Sequence, residues 1–266
     1  MTKIIAEIGW NHMGDIKLAN QMMFDAKQSG ADFVKFQTWS VDRLKNGSWD
    51  SDGRREIYEK AELTFENHKL LKQFADGLGV TFFSSVFSIE DADLLSKIET
   101  DYVKIASTES RNYDLLEHVN DMFDNIIVSV GTATFGEVKK ILDYIDEDKL
   151  TLMHCVSSYP CNYENANLPK INKLKELTSN VGYSDHTLGV LSSIASIEYG
   201  VTMIEKHFTI DNNLPGRDNQ FAILPEELKS LKNYIELRDV MNVDKGDGHQ
   251  ECELDARENY SGRWNG

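Results

Sequence analysis

Two lysines stand inside otherwise apolar, β-branched runs, Lys35 in FVKFQ and Lys104 in YVKIA. A single strand lysine normally runs its stem to the edge and keeps its ammonium in water. Two such residues are harder to explain that way, because burying either one without an anion is costly. Together with clustered hydroxyls and backbone amides they make a cradle for phosphate and carboxylate. Two histidines form a second pair. His186 ends the run YSDH and His207 ends IEKH. If consecutive strands carry them, the two imidazoles converge on one divalent ion and leave positions for water and a substrate.

Other polar residues gather at the ends of apolar runs: Glu7 with Asn11 and His12, Gln37 two residues after Lys35, Ser84-Ser85, Ser107 and Glu109 just past Lys104, Ser129, His154 with Ser157 and Ser158, Ser184, and Glu205. A serine in such a place more often caps the next helix than does chemistry, and Ser84, Ser129 and Ser157 taken singly read that way. Asp218, in Pro215-Gly216-Arg217-Asp218, suits a sugar hydroxyl or simple turn geometry. His12, His68, His118 and His249 read as surface or capping residues.

The elements that must position these groups alternate along the chain. Eight strands are expected, at Lys3–Ile8, Asp32–Gln37, Val80–Ser85, Asp101–Ile105, Asn125–Val130, Leu150–Cys155, Asn180–Ser184 and Thr202–His207. Helix-like stretches follow them. In Asp15–Ser29 the residues Ile16, Ala19, Met22, Met23 and Ala26 recur at helical spacing, and Gly30 follows as a C-terminal cap. Eight units in about 240 residues favour a closed α/β (β/α)8 TIM barrel over an open doubly wound sheet. The turn Gly9-Trp10-Asn11-His12-Met13-Gly14 also lacks the dinucleotide fingerprint of an open sheet. In a barrel, residues two apart on a strand share a face, and the C-terminal strand ends carry the chemistry. Leu44–Glu62 reads as a polar insertion over the barrel top, and Val243–Gly266 as a surface-docked or frayed acidic tail. The expected division is a barrel over 1–242 and a tail over 243–266.

Composition bounds the partners. The 266 residues are 41% hydrophobic and 27% charged, as in an ordinary globular protein. No apolar run approaches the ~20 residues of a membrane span, and MTKIIAEIGW lacks a signal-peptide pattern, so a cytoplasmic address is expected. A net charge of −16 argues against nucleic acid and anionic membranes. It also requires any anionic substrate to find local positive charge, which makes the strand lysines informative. Cys155, Cys161 and Cys252 read as free thiols.

The stretches AEIGWNHMGD, GADFVKFQT, VKIAS, HCVSSYP, VGYSDHTLG and EKHFTIDNNLPGRD, in that order from residue 6 to 218, resemble the sialic acid synthase family, which includes N-acetylneuraminate, legionaminate and pseudaminate synthases. The resemblance implies a barrel that condenses phosphoenolpyruvate with N-acetylmannosamine or a related amino-sugar aldehyde. It implies a manganese or magnesium ion on His186 and His207. It places Lys35, Ser85, Lys104, Ser107, Ser129, Ser157, Ser184 and His186 around phosphoenolpyruvate, and Glu7, Gln37, Tyr159 and Asp218 toward the metal and the sugar. Glu109 and Glu205 match further polar positions without a firm role.

The sequence departs from the family pattern in places. It stops before the small antifreeze-protein-like domain whose arginine, supplied by the partner subunit, contacts the sugar, which puts sugar recognition and the family's swapped homodimer in question. Val86-Phe87 lacks the usual proline, Val130 stands where threonine is common, and Thr108 stands where glycine is common. None removes a charge. Two rival readings remain. One is a synthase acting on a sugar phosphate, which needs a second basic cluster; the sequence offers none beyond Arg43, Arg54 and Arg55 in the insertion. The other is a non-catalytic sugar-binding remnant.

Overall fold

The computed structural model describes residues 1–264. Its parallel strands close on themselves in chain order: β1 Lys3–Gly9, β2 Phe33–Thr38, β3 Thr81–Val86, β4 Tyr102–Ile105, β5 Asn125–Ser129, β6 Leu150–Cys155, β7 Val181–Asp185 and β8 Met203–His207. Each expected strand is present, with ends displaced by at most one residue. The strands are buried on both faces, so they need apolar side chains outward against the helices as well as inward.

The helix Ile16–Gln28 shows how the outer layer is built. Asp15 caps it by accepting bonds from the amides of Lys17 and Leu18 at 2.8 and 3.2 Å. Ala19, Met22, Met23 and Ala26 are its buried stripe, as their spacing requires. Gly30 follows the C-terminal Ser29 at φ +102°, a backbone conformation that suits glycine.

Inside the barrel the register stacks side chains in layers. Ile5, Phe33, Phe83, Ile127 and Met153 form a closed apolar cluster, with Tyr102 and Met203 packed against it. Two residues further along the same strands, the inward side chains are Glu7, Lys35, Ser85, Lys104, Ser129, Cys155 and Glu205. The polar layer therefore rests on an apolar floor.

The insertion after β2 has more structure than a polar cover. It contains the helix Arg54–Ala61, seated by Tyr58 on Trp10 and Trp39 with ring centroids 5.2 and 5.6 Å apart. Trp39 Nε1 donates to the Tyr58 carbonyl at 3.2 Å. The last long helix, Pro225–Met241, buries Leu228, Leu231 and Ile235. Beyond Val243 the described tail is exposed apart from half-buried Gln250 and holds one short helix, Leu254–Asn259; residues 265–266 lie outside the described residues. Among the described residues no helix is long and apolar enough to cross a membrane.

Candidate active site

A cavity of about 520 Å³ opens at the C-terminal ends of the strands. Glu7, Lys35, Gln37, Ser85, Lys104, Ser107, Ser129, Ser157, Tyr159, Ser184, His186, His207 and Asp218 all line it. The register brings them together. Glu7 is level with Lys35 on one side and His207 on the other, Ser85 is level with Gln37 and Lys104, and Ser184 with Glu205.

The two lysines are not the bare cations expected from the sequence. Lys35 Nζ lies 2.8 Å from Glu7 Oε2 and 3.5 Å from Glu205 Oε2, and Lys104 Nζ lies 3.3 Å from Glu205 Oε1. All four side chains are nearly fully buried. The reason is electrostatic: two unpaired ammoniums in so dry a layer would be prohibitively costly, and the carboxylates offset them. Burial works against charge on Lys35, yet Glu205 and Glu7 together hold it above the ordinary lysine value. Burial pulls Lys104 below that value despite Glu205. Burial would raise Glu205, but Lys104, Lys35 and the Ser184 hydroxyl, which donates to it at 2.8 Å, hold it well below the usual carboxylate range. Burial raises Glu7, and Lys35 offsets this only in part. Glu7, which accepts a 2.7 Å bond from Gln37 Nε2, is thus the carboxylate better suited to hold a proton.

Around this quartet stand short hydroxyls. Lys35 Nζ donates to Ser85 Oγ at 2.8 Å. Ser107 Oγ accepts from the Gly131 amide at 3.0 Å and touches Cys155 Sγ at 2.9 Å. Ser129 Oγ is buried without a partner. A Cβ at Gly131 would collide with Ser157 Oγ, Cys155 Sγ and Ser107 Oγ, so only glycine lets the backbone amide approach this wall so closely. The wall offers donors to an anion that the neutralised lysines alone would not hold.

The imidazoles face this layer from the residue just after β7 and from the end of β8. His186 and His207 ring centroids are 5.7 Å apart, and Tyr159 packs on them at 4.1 and 5.8 Å. Burial pushes His186 down to about 4 and carries His207 well below its ordinary value, so both rings are neutral near pH 7. His186 Nδ1 donates to the Val156 carbonyl at 2.7 Å, which leaves Nε2 as the ring's lone pair. His207 Nδ1 is buried with no hydrogen-bond partner, 3.5 Å from Asp218 Oδ2. Burial raises Asp218 to about 7. These are the residues that can hold a divalent ion. Among the described residues no cluster of three or more His, Cys, Asp and Glu has metal-binding geometry, so the protein's contribution would be these two nitrogens.

Comparison with known proteins fits this architecture. The chain matches the NeuB family over residues 22–248. It is 38% identical over 251 residues to the N,N'-diacetyllegionaminic acid synthase of Legionella pneumophila, covering 87% of this chain and 70% of that protein. It is 34% identical over 247 residues to the pseudaminic acid synthase of Campylobacter jejuni, covering 87% and 72%. The chain belongs to the NeuB family. Among solved structures it is similar to the N-acetylneuraminic acid (sialic acid) synthetase of Leptospira borgpetersenii, determined in complex with citrate. That similarity has a TM-score of 0.83 and 31% identity, over 99% of this chain and 92% of that one. As a NeuB-family member this protein is an enzyme, a carbon–carbon bond-forming transferase.

Several cavity residues of this NeuB-family chain escaped the sequence reading. Glu205 had no firm role, although it is the pivot between the lysines. Cys155 follows Met153 at the two-residue step that identifies the other inward groups. Tyr58 enters through the insertion together with Arg54, which the sequence offered only for a phosphate-bearing acceptor; Trp10 lies in the loop after β1, and Arg217 is the neighbour of Asp218. Conversely, Glu109 lies outside the lining. Ser84 faces outward and accepts from Thr38 Oγ1 at 2.7 Å, and His154 Nε2 meets the Ala166 carbonyl at 2.8 Å. His12 and His68, expected at the surface or in caps, are both fully buried. His12 Nδ1 accepts from the Gly14 amide at 3.0 Å, and His68 Nε2 lies 2.7 Å from Thr38 Oγ1.

Proposed function

We propose that this enzyme condenses phosphoenolpyruvate with an N-acetylmannosamine-type amino-sugar aldehyde, giving a sialic-acid-like nine-carbon 2-keto acid and phosphate. One observation carries the reading: a buried layer of paired lysines and free hydroxyl donors faces two neutral imidazoles across a single cavity. The names of the relatives support the same product class.

Phosphoenolpyruvate would lie against Lys35, Lys104 and the serine wall, drawing the ammoniums away from Glu7 and Glu205. The acceptor would lie above, among Gln37, Tyr159 and Asp218. His186 and His207 would hold manganese or magnesium; bound there, the ion would polarise the aldehyde as a Lewis acid. The methylene carbon of phosphoenolpyruvate forms a bond to the aldehyde carbon, whose oxygen becomes the new hydroxyl. Positive charge develops at the enol-ether carbon, where carboxylate Glu7 stabilises it and takes a proton from the water that adds, balancing the proton gained by the new hydroxyl. The resulting tetrahedral carbon expels phosphate by C–O cleavage, and its hydroxyl proton leaves with the phosphate as the keto group forms. Holding both substrates in one mouth supplies much of the rate.

Arg54 and Arg217 at the rim favour a second reading, in which the acceptor carries a phosphate. Phosphate release from phosphoenolpyruvate with Mn²⁺, compared across neutral amino sugars and aldose phosphates, tests both. Turnover with N-acetylmannosamine-type aldoses is the expected result. Turnover only with phosphorylated aldoses replaces it with the second reading. No release with any aldose would replace both with a non-catalytic, sugar-binding role.

A further inference from the structure

The strands that carry His186 and His207 are tied to each other by a charged device outside the cavity. Residues alternate across a strand, so Asp185 and Lys206, each the neighbour of a histidine, point outward toward the helix Leu191–Ile197. Both are essentially inaccessible to water. Lys206 Nζ lies 3.3 Å from Asp185 Oδ2 and donates at 2.5 Å to the carbonyl of Thr187. A β8 side chain therefore grips the end of β7 and the turn that follows it, on both sides of His186.

Asp185 is the hub of the same device. It accepts from the Thr187 amide and hydroxyl, both at 2.8 Å, from Ser193 Oγ at 2.6 Å and from Tyr183 OH at 3.3 Å. The bonds from Thr187 close a turn around His186, and the His186 carbonyl accepts from the Cys161 amide at 2.8 Å. A buried ion pair is weak evidence for stability, since apolar residues of similar shape often serve as well. Its well-attested use is to fix one register among near alternatives.

We propose that Asp185 and Lys206 are positioning residues that lock the ends of β7 and β8 in register, so that the imidazoles of His186 and His207 meet on one divalent ion. The proposal rests on the two-histidine reading above. Loss of Lys206 lets the two strand ends slide relative to each other. The rings remain present, but their nitrogens no longer converge.

Mn²⁺ alone is the probe, titrated into the full chain and followed by electron paramagnetic resonance, with thermal unfolding measured in parallel. Lys206→Met leaves the Asp185 carboxylate buried without its cation. The double variant Asp185→Asn/Lys206→Met is uncharged, keeps an oxygen for Thr187 and Tyr183, and turns its amide NH2 toward Ser193 Oγ, which can accept. The expected result is a rise in thermal midpoint from the single to the double variant, while Mn²⁺ affinity stays at least tenfold below wild type in both. His68→Gln, which disturbs a buried polar contact beside β2, should lower the midpoint and leave Mn²⁺ affinity within twofold. A folded double variant with wild-type Mn²⁺ affinity would overturn the positioning role. Equal loss of affinity in His68→Gln would overturn it as well, by making the effect general loosening. If the wild-type chain binds no Mn²⁺, the two-histidine reading itself fails, and this proposal with it.

Discussion

The lower and upper layers of this barrel's interior are built on the same strands, two residues apart, and they solve opposite problems. Below, Ile5, Phe33, Phe83, Ile127 and Met153 fill the space with apolar volume. Above, Glu7, Lys35, Ser85, Lys104, Ser129 and Glu205 fill it with charge and hydroxyls, and the cavity begins there. The lower layer gains from leaving water. The upper layer loses by it and persists only because each ammonium has a carboxylate within 3.5 Å. The contrast teaches that the floor supplies stability and rigidity, while the layer above uses some of that stability to hold groups in unfavourable, reactive surroundings.

Exchanging the character of the two layers should have the largest effect. Phe83→Lys would bury an ammonium in the floor with no anion nearby, at a cost of more than about 5 kcal/mol. The expected outcome is loss of soluble folded protein, read by circular dichroism and expression; a well-folded variant would show that the layers are not distinct. Next comes Lys104→Ala. It leaves Glu205 short of a partner and opens the anion wall, and kcat/KM for phosphoenolpyruvate should fall roughly a thousandfold, about 4 kcal/mol. Unchanged dependence on phosphoenolpyruvate would contradict the assignment of the upper layer.

Acid should expose a third difference, this time outside the barrel's interior. His12 is buried as a neutral ring, with its pKa lowered by burial to about 4 from an ordinary 6.5. The unfolded chain therefore binds a proton that the folded chain does not. The associated stability is complete above about pH 6.5 and is lost as pH falls toward 4, a change of about 3 kcal/mol. Urea unfolding from pH 7 to 4.5 should show a shallower acid slope for His12→Gln than for wild type. Identical slopes would rule this out. The smallest expected effect is that of Gln37→Ala, which removes the bond that orients Glu7. Acceptor KM should rise about tenfold with the thermal midpoint nearly unchanged, since the Glu7–Lys35 pair remains.

Much of this site was legible in the sequence because a strand's side chains alternate strictly. As strands, FVKFQ and YVKIA put Lys35 and Gln37 on one face and set Lys104 shortly before Ser107. What the sequence does not display is distance across a closed barrel. Glu205 reaches Lys104 from 101 residues away, because β4 and β8 face each other only after closure. The lysines therefore looked unpaired when read locally. The place of Arg54 over the cavity was hidden for a related reason: its helix is held by Trp10, Trp39 and Tyr58, a packing event with no local period. His12 and His68 were misjudged by residue type alone, since a backbone amide and the Thr38 hydroxyl satisfy them in the interior.

A crystal structure of the enzyme with phosphoenolpyruvate and Mn²⁺ bound tests the central claim most directly. The phosphate and carboxylate are expected among Lys35, Lys104 and the serine wall, with Mn²⁺ shared by His186 and His207. Phosphoenolpyruvate bound elsewhere, or an ion that avoids either imidazole, would contradict it.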